Sequence, residues 1–271
     1  MLFHQYLRTR KSVREYKNNS LSKKQIELLQ EQIKKDNLKL NEFDLNIEFF
    51  EKGESVYKLL EGEGGYFGKM IKSPHYIGIS VKGEDDAKKY LNAAYTLAKY
   101  GKIAFDMELG TCWINLLGLS KKTEKDLLKD ENLDMHFLLA IGEANEPYIG
   151  LPKETSSRLS IEEIVFLNSL DNKMSLSEMK TWGLEELFYN IRNVPTNMNR
   201  QPWRFVVDND KIQMYILGED SPENLTDAGI MMFNFEKMAH DLGIRGNWSD
   251  LNSKQMDSQN QKYFLVGIFD M

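Results

Sequence analysis

The sequence predicts an α+β fold that is built from two related halves, and three observations lead to this prediction. The chain has 271 residues of which 41% are hydrophobic, enough for one large domain or two small ones. Segments with helical periodicity and segments with strand-like patterns both occur along the whole chain. Finally, "AFDMELGTCW" (residues 104–113) aligns with "AHDLGIRGNW" (residues 239–248), and each follows a long helical pattern and precedes a strand. The repeated order of elements indicates a duplicated architecture.

The first half, residues 1–168, is expected to contain helices and strands in mixed order. In "SLSKKQIELLQEQIKK", Ser22 and Gln25 have the spacing of a capping box, and apolar residues follow at helical intervals. Between Asp85 and Leu109 apolar residues again recur at helical spacing, which predicts one long helix. The other predicted elements are the strands "FDLNIEFF", "HYIGISV" and "HFLLAIGEA" and the short helix "SIEEIVFL".

The second half, residues 174–271, repeats this mixture after the polar stretch "NSLDNKMSLSEM", where we place the boundary between the halves. A helix is predicted for "SEMKTWGLEELFYNI", and a second long helix is predicted from about Asp227. The predicted strands are "WRFVVD", "IQMYIL" and "YFLVGIFDM".

Composition narrows the class of protein. The net charge of −6 and the pI of about 5.4 argue against a nucleic-acid binder that relies on a general basic surface. The single cysteine, Cys112, excludes a disulfide framework and fits a reducing cytoplasm. No apolar run approaches the length of a membrane span, and the first residues lack the apolar core of a signal peptide. We therefore expect a soluble, cytoplasmic protein with no nucleic-acid or membrane partner.

A cluster of cations near the start of the chain is a candidate anion site. "RTRKSVREY" places four basic residues around Ser12, namely Arg8, Arg10, Lys11 and Arg14. Such a cluster is commonly a solvated chain terminus. It also suits a phosphate dianion, because arginine forks and a hydroxyl form charge-assisted hydrogen bonds to phosphate oxygens. Arg158 in "TSSRLSIEEIV" is either a surface residue or the other side of the same clamp.

The segment "PTNMNRQPWRF", residues 195–205, carries three side-chain amides just before Trp203. Turn-forming residues are typical of loops, but a loop gains nothing from clustered amides ahead of a tryptophan that is expected to be buried. The pattern indicates donors and acceptors that are kept for a ligand.

The segment "ELGTCWINLLG" follows the first long helix. We expect Gly110 to end that helix in a left-handed cap and "TCWINLL" to form an apolar loop. This loop either packs in the core or forms a wall against a flat aromatic ligand. Cys112 has no base nearby in sequence that would activate it as a nucleophile.

Common catalytic machinery is absent from the sequence. The four histidines, His4, His75, His136 and His240, lack the paired spacing of a zinc site. The glycine-rich phosphate-binding motifs and the serine-hydrolase motif are also missing. We therefore predict no metal site and no catalytic side chain, and a cofactor would have to carry any reaction.

Taken together, "RTRKSVREY", "ELGTCWI", "SRLSIEEIV" and "PTNMNRQPWRF" resemble the nitroreductase family of FMN-dependent oxidoreductases. That family combines an N-terminal basic motif, an N-x-Q-P-W loop, a long helix ending in G-L-G-x-x-W-I and a C-terminal basic turn, usually in homodimers with FMN bound across the interface. In this chain the first half lacks the amide-rich loop and the second half lacks the basic motif. The resemblance therefore implies a nitroreductase-like fold with small, mostly antiparallel sheets flanked by helices. It also implies a pseudo-dimer in one chain with one FMN site.

The resemblance also assigns roles toward FMN. The phosphate ligands would be Arg10, Lys11, Ser12, Arg14 and Arg158. The ribityl chain and flavin edge would meet Thr196, Asn197 and Asn199, with Gln201 supporting the loop. The isoalloxazine would be lined by Trp113, Ile114 and Asn115. The segment "GIRGNW" would be a relic that packs against the core.

The activity implied by the resemblance is a ping-pong transfer of hydride from NAD(P)H through FMN to a nitroaromatic, a quinone or another small electron-poor aromatic. Two alternatives stay open: a specialised flavin reaction on another physiological substrate, and a flavin-binding carrier or sensor with little turnover. Because fusion removes the family's usual need to dimerise, we expect a monomer or a weak homodimer.

Overall fold

The computed structural model describes residues 2–83, 86–145, 157–249, 255–258 and 261–271. Within these residues helices and two small sheets alternate, so the predicted α+β fold class is confirmed. The sheets are mostly antiparallel and are flanked by helices.

Contacts between residues divide the chain into two compact units. The N-terminal unit comprises residues 10–89 and 99–151, and the C-terminal unit comprises residues 1–9, 90–98 and 152–271. This division describes packing, whereas the predicted halves 1–168 and 174–271 describe ancestry. The halves, the internal duplication and the pseudo-dimer stay predictions.

The N-terminal unit contains an antiparallel sheet with the strand order β1-β2-β5-β3, and the short strand β4 also pairs with β2. The strands are β1 (Leu45–Phe50), β2 (His75–Lys82), β3 (Gly110–Asn115), β4 (Leu133–Asp134) and β5 (Phe137–Gly142). The helices are α2 (Lys23–Leu40), α3 (Gly53–Leu60) and α5 (Lys121–Leu128). Helix α4 (Ala87–Asp106) also belongs to this unit, except for residues 90–98, which belong to the C-terminal unit. The predicted capping box is confirmed at the start of α2, where Ser22 and Gln25 each bond the other's backbone amide at 3.0–3.3 Å.

The predicted loop after the first long helix is wrong, because "GTCWIN" forms strand β3. Glu108 at φ 61°, and not Gly110, takes the left-handed conformation behind α4. Gly110 is needed for another reason: a Cβ atom there would lie 2.6 Å from the Cγ2 atom of Val13. A glycine at this position thus lets the N-terminal segment approach the sheet closely.

The C-terminal unit contains a sheet with the order β10-β11-β8-β7-β6, and β9 also pairs with β11. Only the β6–β7 pair is parallel among the described strands of this sheet. The strands are β6 (Val165–Leu167), β7 (Trp203–Asp208), β8 (Lys211–Leu217), β9 (Asn247–Ser249), β10 (Gln255–Ser258) and β11 (Gln261–Asp270). The helices are α1 (Phe3–Thr9), α6 (Ile161–Ile164), α7 (Leu176–Thr181), α8 (Glu185–Ile191) and α9 (Pro222–Asp241).

Three helix boundaries in this unit differ from the predicted ones. The helix predicted for residues 177–191 is broken between α7 and α8, where Gly183 adopts φ 70°. Only the first turn of "SIEEIVFL" is helical, because Val165–Leu167 pairs with β7 instead. Helix α9 starts at Pro222 rather than near Asp227, because the Ser221 hydroxyl caps it by accepting the Asn224 amide.

Helix α9 forms the centre of the C-terminal core. Phe235 lies 5.5 Å from Phe205 and 5.1 Å from Phe269 between ring centroids. Trp248, from the segment "GIRGNW", packs against Phe235 at 5.2 Å, and this packing against the core is as predicted. At Gly229, α9 lies so close to residues 90–98 of α4 that a Cβ atom would be only 2.4 Å from the carbonyl oxygen of Leu91.

In the described part of the chain no helix is long and apolar enough to cross a membrane.

Candidate functional site

The basic segment, residues 10–14, is fixed on the sheet of the N-terminal unit. Ser12 forms a parallel bridge with Thr111, and the Val13 amide donates to the Thr111 carbonyl at 3.0 Å. Farther along, the Lys17 amide donates to the Glu143 carbonyl at 2.8 Å. Because β3 and β5 are antiparallel, the start of β3 and the end of β5 lie at the same end of the sheet. The chain crosses that end of the sheet here. The basic segment is therefore held by backbone hydrogen bonds and is not a loose terminus.

The cations of the basic segment have no carboxylate partner within the described residues. Arg10 and Lys11 are half-buried and Arg14 is exposed, and none of them forms an ion pair there. The Nζ atom of Lys17, in contrast, lies 3.1 Å from the Glu143 carboxylate. The first cation of the predicted cluster, Arg8, lies in the C-terminal unit on α1, where it stacks on a tyrosine ring.

The side chains of β3 alternate between two environments, as strand geometry requires. Trp113 and Asn115 are half-buried, whereas Cys112 and Ile114 are buried on the other face. Trp113 makes an edge contact with Phe137 at 6.2 Å between ring centroids. Trp113 therefore presents a ring surface, while the Ile114 side chain, which is 2% exposed, lies in the core.

Two residues of this strand, Asn115 and Cys112, are limited in the chemistry that their side chains can perform. The Asn115 Oδ1 atom accepts the Leu117 amide at 2.8 Å, so this oxygen already stabilises the following turn. Burial raises the pKa of the Cys112 thiol, and the nearby Arg14 and Arg10 only partly offset that effect. A thiol with a raised pKa is a poor nucleophile at neutral pH.

The amide loop, residues 195–201, belongs to the C-terminal unit and has an unusual backbone. Residues Asn197–Asn199 form a short helical turn, and positive φ angles occur at Met198 (50°), Asn199 (60°) and Gln201 (50°). Residues other than glycine held in this region cost about 1–3 kcal/mol each, and such strain is found often at ligand clamps. The surrounding structure must therefore hold the loop in this shape.

The side-chain amides of the loop supply part of that restraint. Gln201 is 5% exposed, and its Oε1 atom accepts the Leu159 amide at 2.9 Å. Its Nε2 atom donates at 3.1 Å both to the Ser157 carbonyl and to the Asn199 carbonyl. The Asn199 Nδ2 atom also donates to the Ser157 carbonyl, at 2.9 Å. Two of the three amides thus tie the loop to the backbone of residues 157–159.

Arg158 braces the same loop from its other end. The Arg158 Nη1 atom donates to the Val194 carbonyl at 2.8 Å, and Nη2 donates to the Asn193 carbonyl at 3.4 Å. The structure therefore brings Arg158 together with the amide loop in the C-terminal unit. The basic segment and Trp113 come together in the N-terminal unit.

A residue that the sequence analysis missed lies beneath the amide loop. Asp227 in α9 is 2% exposed, and its Oδ1 atom accepts the Asn197 amide at 2.8 Å. Its Oδ2 atom is buried and finds no hydrogen-bond partner among the residues that the structure describes. Burial raises the pKa of Asp227 to about 7, despite the opposing Asn197 amide and the charges of Arg200 and Arg158. The signal in the sequence was an aspartate directly before the apolar run "AGIMMF".

Residues 3–239 match a family model described as "Putative TM nitroreductase". No curated protein sequence matches the chain. A nitroreductase structure from Thermotoga maritima is 16% identical, with a TM-score of 0.54 over 98% of this chain and 94% of that chain.

Two further structures cover less of this chain. An FMN-dependent nitroreductase from Clostridium difficile R20291 is 20% identical, with a TM-score of 0.49 over 61% of this chain and 99% of its own. A nitroreductase in complex with FMN from Desulfovibrio desulfuricans is 15% identical, with a TM-score of 0.45 over 55% of this chain and 90% of its own. The Thermotoga likeness, which spans nearly the whole chain, shows a shared fold.

Proposed function

Because the chain belongs to the nitroreductase family, we propose that it is an FMN-dependent oxidoreductase that passes a hydride from NAD(P)H to an electron-poor acceptor such as a nitroaromatic or a quinone. When bound, FMN supplies the acceptance and donation of hydride. The residues of the chain then need only bind and orient the ligands. This division of labour fits the buried Cys112 thiol with its raised pKa.

The observation that carries the proposal is the basic segment without carboxylate partners. Arg10 and Lys11 are half-buried on a fixed piece of backbone, and the described residues provide no anion for them. Partly buried cations are stabilised by an opposite charge, and a phosphate dianion with several acceptor oxygens suits arginine and lysine together. The Ser12 hydroxyl in the same segment adds a possible donor. These residues fit the phosphate of FMN.

The remaining parts of FMN fit other groups of the chain. Trp113 offers a half-exposed ring surface on which a flat isoalloxazine can pack. Asn199 uses its Nδ2 atom toward Ser157, and its Oδ1 atom accepts no hydrogen bond within the described residues. This oxygen suits a ribityl hydroxyl. Thr196 and Asn197 are half-buried beside it, and we assign them to the ribityl chain and the flavin edge as well.

In this proposal Gln201 keeps its predicted role of supporting the loop, and Arg158, predicted to hold the phosphate, receives a different one. Gln201 holds the shape of the amide loop through its three hydrogen bonds and does not touch FMN. Arg158 braces the loop through the carbonyls of residues 193 and 194 and adds positive charge near it. We do not assign the buried Ile114 side chain to the flavin ring.

We further propose one FMN per chain and a monomer or weak homodimer, because the basic segment and the amide loop each occur once. The ratio of FMN to protein is obtained by denaturing the protein and dividing the concentration of released flavin by the concentration of protein. A ratio near two would contradict the single site. Sedimentation analysis gives the mass in solution.

The proposal is tested by spectroscopy of the purified protein. The protein is saturated with FMN, freed of excess flavin, and titrated with NADPH and then NADH under anaerobic conditions. We expect the flavin absorbance to bleach and to return when a quinone or nitroaromatic is added. A protein that binds no FMN would refute the proposal. A yellow protein that neither nucleotide bleaches would instead support the carrier or sensor.

A further inference from the structure

Asp227 is a buried acid, and its hydrogen-bond partner among the described residues is the backbone of the amide loop. Its Oδ1 atom accepts the Asn197 amide at 2.8 Å, and its Oδ2 atom has no hydrogen-bond partner in the described part of the chain. Asn197 is the first residue of the short helical turn that contains the left-handed Met198 and Asn199. The protonation of Asp227 is therefore coupled directly to the backbone of the turn that contains two of the loop's positive φ angles.

The charged groups that face Asp227 do not compensate its burial. Arg200 from the loop and Arg158 from the segment before α6 favour the ionised carboxylate, and Glu223, one turn earlier in α9, disfavours it. Burial is the largest effect and outweighs the arginines and the Asn197 amide together, so the pKa is raised to about 7. The closed loop thus favours the neutral acid.

We propose that Asp227 is the positioning residue of the amide loop, holding the loop closed while its carboxyl is neutral and releasing it on ionisation. The Asn197 amide bonds to the neutral acid in the closed loop. An ionised carboxylate instead gains water when residues 196–199 move away from α9. Opening also relaxes the positive φ angles of Met198 and Asn199, which lowers the cost of the open form. These two effects give the loop two states that a single proton selects.

The consequence for ligand binding rests on the proposed function, since it takes the closed loop as the form that binds flavin. With a pKa of about 7 in the closed loop, the ratio of closed to open loop falls about tenfold between about pH 6 and about pH 8. The apparent dissociation constant for flavin rises by up to the same factor, because only the closed loop binds. Affinity therefore weakens as the pH rises.

The first experiment needs no ligand. Amide hydrogen exchange of Asn197 is measured in the ligand-free full chain at about pH 6 and about pH 8, and each rate is corrected for its intrinsic pH dependence. We expect protection to fall about tenfold in the natural protein and to stay constant in Asp227→Asn. Equal protection of the natural protein at both pH values would overturn the proposal, whether or not the variant folds.

A pair of charge variants separates titration of Asp227 from a merely structural role. Arg200→Gln removes a favourable positive charge, so the transition in protection should move to higher pH. Glu223→Gln removes an unfavourable negative charge, so the transition should move to lower pH. Shifts in the same direction, or no shift in either variant, would contradict the proposed titration of Asp227.

The second experiment is a fluorescence titration with FMN and with riboflavin at the same two pH values. Riboflavin has no phosphate, so a loss of affinity of up to about tenfold that both ligands share cannot arise from titration of the FMN phosphate. We expect that loss in the natural protein and none in Asp227→Asn. If neither flavin binds, the proposed function fails while the exchange experiment still decides the role of Asp227. Flavin binding without pH dependence would overturn the role and leave the proposed function intact.

Discussion

Replacing Asp227 with asparagine should make the stability of the protein less dependent on pH. The pKa of Asp227 is raised from 3.8 to about 7 in the folded protein, so the folded state binds more protons than the unfolded state between these values. Stability that depends on the neutral acid is therefore complete at low pH and is lost as the pH rises through this window. A shift of this size corresponds to about 4 kcal/mol at most, because each pKa unit is worth about 1.4 kcal/mol.

The measurement is the free energy of unfolding from urea titrations at about pH 5 and about pH 8. The new buried amide donors of asparagine cost about 1–3 kcal/mol at both pH values, so only the change with pH is diagnostic. Relative to the natural protein, we expect Asp227→Asn to gain up to about 2.7 kcal/mol between the lower and the higher pH, because about two pKa units of the window lie above pH 5. Local opening of the amide loop lowers the gain below the upper limit.

A matched control for this titration is Asp210→Asn, which removes an exposed carboxylate close to a turn of the same unit. Its stability difference from the natural protein should not change with pH by more than about 0.5 kcal/mol. The reasoning about Asp227 would be refuted if the difference for Asp227→Asn were equally insensitive to pH.

Further predictions test packing, phosphate recognition and thiol reactivity. Gly229→Ala places a Cβ atom 2.4 Å from a backbone oxygen of α4 and should destabilise the protein by about 1–3 kcal/mol in urea titrations. Gly118→Ala meets open space, so an equal loss there would contradict this interpretation. Lys11→Gln should weaken FMN about tenfold while changing riboflavin little, because one charge-assisted contact is removed at a half-buried site. Lys17→Gln, at a lysine already paired with a carboxylate, should leave the FMN-to-riboflavin ratio unchanged. Cys112 should react with iodoacetamide at least about tenfold more slowly in the native than in the denatured protein, and rapid native labelling would show that the thiol is accessible.

Local signals in the sequence predicted the parts of the fold that depend on neighbouring residues. The capping box of Ser22 and Gln25 joins residues three apart, and it correctly marked the start of α2. The start of α9 has an equally local signal in Ser221 followed by Pro222, whereas the apolar periodicity that led to the predicted start near Asp227 begins later.

Long-range packing explains the errors that no local signal could prevent. Gly110 resembles a helix cap in sequence, yet its role is to admit Val13 at a distance of nearly one hundred residues along the chain. Because the following residues pair with β5 as a strand, Ile114 turns into the core and Trp113 turns away from it. The alternation of buried and half-buried side chains along β3 can be assigned only when the pairing of β3 with β5 is known.

The candidate site also combines features that local sequence signals predicted with features that depend on long-range packing. The basic segment and the amide loop were visible because their composition departs from that of ordinary connections. The importance of Asp227 was not visible, because it depends on burial and on contact with a loop thirty residues earlier in the chain. Likewise, the amides of Asn199 and Gln201 were identified, but their bonds to residues 157–159 required the structure.

The cations of the basic segment, which have no carboxylate partner among the described residues, affect how an anionic ligand reaches the protein. A chain of net charge −6 repels such a ligand at long range, while the basic segment attracts it locally. At moderate salt, where the Debye length is about 10 Å, the charges of distant acidic groups are screened more strongly than those of cations next to the ligand. The encounter rate with a phosphate-bearing ligand should therefore pass through a maximum at intermediate ionic strength, whereas an uncharged analogue should encounter the protein equally fast throughout.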